Sequence, residues 1–184
     1  MTIETYLDLK EKIIAAGYAS EIDWAEDLKP VADSWTFFCG YVWVVVNAGM
    51  REQVARNIYD SIMANFKGGG LPSNVFGHKG KCKAIVETLA RLSEVFEKYK
   101  ALDSDEARIE FLETLPFIGK ITKYHLAKNL GVTGVAKPDR HLARIAKGFK
   151  TTAQELCEKI SEATGDTVAL VDLVIWRAAN LGFV

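Results

Sequence analysis

The chain has 184 residues, a formal net charge of −1, and 49% hydrophobic against 26% charged residues, so it is long enough for one globular domain over 1–184 with a full core and no metal or disulfide staple. Cys39, Cys82 and Cys157 are odd in number and lack motif spacing, which argues against a disulfide framework and for a reducing compartment. No charged segment followed by an apolar one opens the chain, so no signal peptide is expected. The most apolar run, Trp35 to Ala48, is too short to cross a membrane.

In chain order the sequence reads as helical almost throughout. Ile3, Tyr6, Leu9, Ile13 and Ile14 recur at helical spacing. Residues 31–48 are apolar on nearly every face and predict a buried central helix. Residues 51–66 predict an amphipathic helix, ended by Gly68-Gly69-Gly70-Leu71-Pro72 and a loop to Gly80. Residues 81–99 place Ile85, Leu89, Leu92 and Phe96 on one stripe, and a short helix is expected over 104–113. Thr152-Ala-Gln-Glu155 matches a capping box, Gly165 ends the helix it starts, and Thr167 caps a last helix over 168–180. No period-2 strand or internal repeat is found. The expected class is all-α, with about ten helices.

Charge is unevenly spread. From 120 to 150 stand Lys120, Lys123, Lys128, Lys137, Arg140, Arg144, Lys147 and Lys150 against Asp139 alone. Lys67, Lys79, Lys81 and Lys83 form a second basic stretch, whereas the first 33 residues hold eight acids and three lysines. Solvated helix faces explain such runs by themselves. Beside a hairpin they suit a surface that orients on a phosphate backbone.

That hairpin is Leu115-Pro116-Phe117-Ile118-Gly119, followed by a lysine-rich helix. Pro116 fixes φ, Gly119 permits a conformation closed to other residues, and Leu115 and Ile118 anchor the turn. The amides around Phe117–Lys120 are then expected to face outward, where they can hold a phosphate without reading sequence. Twenty residues after Gly119 comes Asp139, between Pro138 and Arg140-His141-Leu142, at an expected helix N-terminus that keeps a carboxylate ionised. An ordinary N-cap role is the commoner fate of such an aspartate.

Hairpin, helix and aspartate together resemble the helix-hairpin-helix DNA glycosylases, the endonuclease III superfamily, whose signature is L-P-G-[VI]-G, a helix, and then an aspartate about this far on. The resemblance covers roughly residues 35–150 and is sharpest over 112–145. Phe117 departs from it, standing where a glycine is usual.

The resemblance implies two helical lobes flanking a cleft, with double-stranded DNA carrying a damaged or modified base across its mouth. It implies a glycosylase of base excision repair in which Asp139 is catalytic: the carboxylate stabilises an oxocarbenium-like sugar and orients water. Phe117, Ile118, Gly119, Lys120, Thr122, Lys123 and Arg140 become expected DNA contacts, and Asn47 an expected wedge into the gap left by the flipped base. A monovalent cation often accompanies the hairpin. Bifunctional relatives carry a Schiff-base lysine two residues after the last hairpin glycine. Here that position is Ile121, with Lys120 about 100° and Lys123 about 200° away around a helix. A monofunctional enzyme is therefore expected. A glycosylase/lyase using a nearby lysine, a non-catalytic helix-hairpin-helix DNA-binding protein and a helical protein-interaction domain are the alternatives.

Asp172 and Trp176, four residues apart, resemble a pair that archaeal 8-oxoguanine glycosylases direct at the base, and Tyr124 is a further pocket candidate. Four closely spaced C-terminal cysteines are absent, and His78, His125 and His141 show no metal-ligand spacing. Neither an iron–sulfur cluster nor zinc is expected. The protein is expected to be a monomer, cytoplasmic and associated with the nucleoid.

Overall fold

The computed structural model describes residues 1–184, all helix and connecting turns. Along the chain these are α1 (Ile3–Ile13), a π-helical turn (Ile14–Tyr18), α2 (Ala19–Glu26), α3 (Ser34–Asn47) and α4 (Glu52–Lys67). After a 3-10 turn (Pro72–Asn74) come α5 (Lys79–Ala90), α6 (Leu92–Lys100), α7 (Asp105–Glu113) and α8 (Thr122–Asn129). The last are α9 (Arg140–Gly148), α10 (Ala153–Thr164) and α11 (Val168–Leu181). They form two compact units, a central one over Val31–Leu130 and a terminal one of Met1–Pro30 with Gly131–Val184. No helix is long and apolar enough to cross a membrane.

In the central unit, Asp33 caps α3 by accepting from the Thr36 amide at 2.8 Å. The helix buries Phe37, Phe38, Tyr41, Val42, Val44, Val45 and Val46, as an all-round apolar pattern requires. A Cβ on Gly40 would lie 3.3 Å from Leu130 Cδ2, so that glycine lets α3 and the end of α8 pack closely. The single helix expected over 81–99 is two helices. Arg91 (φ −115°, ψ 17°) ends α5 and begins α6. The break turns Val95, Phe96 and Tyr99 to the core and leaves Leu89 and Leu92 half-buried.

In the terminal unit, Tyr6, Leu9 and Ile13 of α1 join Leu142, Leu156, Ile160, Leu170, Val174 and Ile175 in one core. The Thr152 capping box, the left-handed Gly165 (φ 80°) and the Thr167 cap all form where the sequence places them. Gly131 (φ 86°) passes so close to Lys29 that any Cβ would overlap its carbonyl oxygen.

Candidate functional site

The hairpin belongs to the central unit. Leu115 to Ile118 is a β-turn closed by the Ile118 amide donating to the Leu115 carbonyl at 3.1 Å, with Pro116 second and Phe117 third. Phe117 has φ 63°, the left-handed region that a turn with Pro116 in this place asks of glycine. The Tyr41 hydroxyl donates to the Pro116 carbonyl at 3.0 Å, and Leu115 and Ile118 are buried, so the turn is anchored from below. Only part of the expected amide array faces outward. Gly119 N–H donates to Thr122 Oγ1 at 2.8 Å, which engages both residues, while Lys120 and Ile121 N–H have no partner in the chain. The carbonyls of Leu115, Pro116 and Gly119 accept hydrogen bonds within the unit.

The lysines are redistributed by tertiary contacts. Lys120 is exposed. Lys123, expected at a phosphate, is instead 7% exposed and bridges Glu110 and Glu113, each at 2.6 Å. Those hydrogen bonds, to Glu110 and then Glu113, hold its amine protonated well above the ordinary lysine range. Its charge is thus neutralised inside the unit, because α7 and α8 pack side by side and bring three charges together. Lys128 and Lys81 are also buried. Lys81 Nζ donates to the carbonyls of Ala48 at 2.7 Å and Val46 at 3.3 Å, and burial pushes its pKa down. It thereby ties down the end of α3, where half-buried Asn47 sits. The exposed cations left on this unit's basic stretches are Lys67, Lys79, Lys83 and Lys120, of which Lys83 lies 3.6 Å from Glu87.

Asp139 belongs to the terminal unit and is the N-cap of α9. Its Oδ1 accepts from the amides of His141 at 2.9 Å and Leu142 at 3.1 Å, which leaves Oδ2 without a hydrogen bond. One oxygen is therefore held by the helix and the other makes no hydrogen bond within the chain. Lys137, two residues earlier, is half-buried. Burial lowers its pKa, and the Asp139 charge opposes that shift. Arg140 is exposed, as are Arg144, Lys147 and Lys150.

On α11, Asp172 is 2% exposed and has interactions of its own, whereas Trp176 is half-buried. Of the expected pocket pair, the tryptophan is the more accessible. Tyr124, in the central unit, is half-buried with Lys123 Nζ 5.5 Å from its ring. Arg177 was not singled out by sequence, yet it fixes the surroundings of Trp176. Its guanidinium lies 4.6 Å from the Trp176 ring and 4.4 Å from that of Tyr18, and it donates from two nitrogens to Glu21. The signal for it was a charged residue, one of two with Asp172, late in an otherwise apolar helix. Tyr18 reaches it from a π-helical turn opened by Gly17 (φ 93°). No group of three or more His, Cys, Asp or Glu side chains is placed to hold a metal ion.

No protein-family model matches the chain, and no curated protein matches it. Solved structures do. The 8-oxoguanine DNA glycosylase of Methanocaldococcus jannaschii aligns with a TM-score of 0.70 at 16% identity, over 98% of this chain and 94% of that one. The 8-oxoguanine glycosylase/lyase of the same organism, in complex with a 15-mer DNA containing 8-oxoguanine, gives 0.67 at 17% identity over 96% and 98%. The 8-oxoguanine DNA glycosylase of Thermotoga maritima gives 0.66 at 18% over 94% of each chain. At these identities the likeness is one of fold, and the chain has the helical, helix-hairpin-helix fold of the 8-oxoguanine DNA glycosylases.

Proposed function

We propose that this chain is a monofunctional DNA glycosylase of base excision repair. It flips a damaged or modified base from double-stranded DNA and hydrolyses the N-glycosidic bond with Asp139. The observation that carries the reading is the Asp139 carboxylate, fixed at the start of α9 through one oxygen with the other unbonded, twenty residues after the hairpin glycine in a chain with this fold. As the C1′–N bond breaks, the base leaves with the electron pair and positive charge grows on the sugar. Asp139 stabilises that charge and orients the water whose oxygen bonds to C1′, and the proton that this water loses goes to balance the departing base anion. The structural neighbours are named for 8-oxoguanine, which makes an oxidised purine the first base to test. The hairpin supplies the backbone grip through Lys120 and the free amides of Lys120 and Ile121, and Arg140 and Asn47 are further DNA contacts. Trp176 and Asp172 on α11 are the residues of the terminal unit that we propose for base recognition, and Tyr124 is the candidate of the central unit.

One neighbour is a glycosylase/lyase, so strand cleavage is the second reading. Against it stand Ile121 in the expected nucleophile position and Lys123 held between two carboxylates. The test is a panel of duplexes, each with one lesion, incubated with protein and then treated with alkali. Alkali-dependent breaks at one lesion, absent with Asp139→Asn although DNA binding is kept, support the monofunctional reading. Breaks without alkali, with a covalent adduct trapped by borohydride, establish the lyase. Tight DNA binding with no breaks at any lesion favours a non-catalytic binding module.

A further inference from the structure

Residues 131–139, which lead into Asp139, lie outside any helix, so their backbone groups need partners from elsewhere. Two helices of the terminal unit supply them. The Ala169 amide, at the start of α11, donates to the Thr133 carbonyl at 2.9 Å. Gln154, in the first turn of α10, grips the segment at two further points with one side chain. Its Oε1 accepts from the Ala136 amide at 2.8 Å. Its Nε2 donates to the Gly134 carbonyl at 2.8 Å and to Glu158 Oε1 at 2.9 Å. The opposite amide orientation would set donor against donor and oxygen against oxygen, so this network admits one orientation. Ala136 is 2% exposed and its amide has no other partner in the chain, so removal of the Gln154 amide leaves a buried donor unpaired.

Little slack separates this clamp from the carboxylate. Only Lys137 and Pro138 stand between Ala136 and Asp139. Pro138 has a fixed φ, and the Asp139 amide donates back to the Lys137 carbonyl at 2.7 Å, which closes a three-residue turn. Beyond the turn, the His141 and Leu142 amides hold Asp139 Oδ1. The carboxylate therefore sits between two anchors, the start of α9 on one side and Gln154 on the other. We infer that Gln154 is a positioning residue for Asp139, its side-chain amide fixing the chain at Gly134 and Ala136 so that the carboxylate keeps its place at the bond to be broken. This rests on the glycosylase reading and deepens it. Gln154 acts through the chain and not on the substrate. A carboxylate displaced by about 1 Å loses up to about 100-fold in rate, so a partial relaxation of the clamp is worth about 10-fold.

The experiment compares wild type, Gln154→Met and Tyr6→Phe as full chains. Gln154→Met keeps the side-chain length and removes the amide. Tyr6→Phe is a control for stability in the same unit, since it removes only the hydroxyl that donates to Asp166 Oδ2 at 2.6 Å, and Lys10 still bridges Asp166. Single-turnover base release and affinity are measured with a duplex carrying 8-oxoguanine, or whichever lesion of the panel wild type releases. Tm and amide exchange by NMR are measured without DNA. Both variants should lower Tm by about 2–4 °C. Gln154→Met is expected to slow base release about 10-fold at unchanged duplex affinity, and Tyr6→Phe to leave the rate as in wild type. In Gln154→Met the His141 and Leu142 amides should exchange at least about 5-fold faster, because the carboxylate that they bond is less firmly held. A wild-type rate in Gln154→Met overturns the inference, as does an equal slowing in Tyr6→Phe or unchanged exchange at His141 and Leu142. Any of these with an active wild type sinks this inference alone. Absence of base release by wild type at every lesion sinks the glycosylase reading, and the exchange rates then decide whether Gln154 holds Asp139.

Discussion

Two lysines three residues apart should behave oppositely when removed. Lys120 is exposed beside a free amide, whereas Lys123 is enclosed between Glu110 and Glu113 at 2.6 Å from each. The Lys123 side chain is 9% exposed, that of Glu113 30% and that of Glu110 70%. The Glu110 half is therefore strongly screened and contributes about 0.5 kcal/mol or less, while the better shielded Glu113 half contributes about 1 kcal/mol. Lys123→Met is expected to lower stability by about 1–1.5 kcal/mol, a Tm fall of about 2–5 °C for a chain of this size. It should leave the salt dependence of DNA binding unchanged. Lys120→Met should leave Tm unchanged and flatten the slope of log K against log salt by about 0.9, the loss of one phosphate contact. Thermal unfolding and binding titrations from about 50 to 200 mM salt read both quantities. A flattened slope in Lys123→Met, at full stability, would refute the assignment of its charge to the interior.

Lys81→Met removes the donor to the Val46 and Ala48 carbonyls but also the burden of a desolvated amine, so a net loss of about 1–2 kcal/mol is expected by urea unfolding. Loosening the turn after Asn47 should reduce base release more than duplex affinity, and an active, fully stable variant would contradict that role. Tyr41, Tyr59 and Tyr99 are pushed up to about 12, in each case chiefly by burial. Folded values above the unfolded value of 10 mean that this stabilisation is complete below pH 10 and is lost as pH rises from 10 towards 12. Absorbance of tyrosinate should then appear together with loss of helical circular dichroism, and ionisation of all six tyrosines near pH 10 in the folded protein would exclude it.

Local rules located many helix ends. The Thr152 capping box, Gly165 and the Thr167 cap are contacts within a few residues of one another, so sequence contains all of their chemistry. The break at Arg91 was hidden because the stripe through Ile85, Leu89, Leu92 and Phe96 is continuous. What divides it is the tertiary demand of Phe37 for both Phe96 and Tyr99, whose rings lie 5.8 and 5.2 Å from it. For the same reason a count of lysines overstated the basic surface. Lys81 and Lys123 find partners 33 and 10 or more residues away, and burial follows from those partners. The Thr122 hydroxyl on the Gly119 amide is a local contact, and it engages a residue that the sequence assigned to DNA. The Tyr18–Arg177–Trp176 arrangement joins residues from opposite ends of the chain, and only the fold reveals it.

The most direct test is release of 8-oxoguanine from a duplex by wild type and by Asp139→Asn, read as alkali-dependent strand breaks. The account predicts breaks at the lesion with wild type, a fall of at least about 100-fold in Asp139→Asn, and equal DNA affinity for the two proteins. Undiminished base release by Asp139→Asn would contradict the assignment of catalysis to that carboxylate.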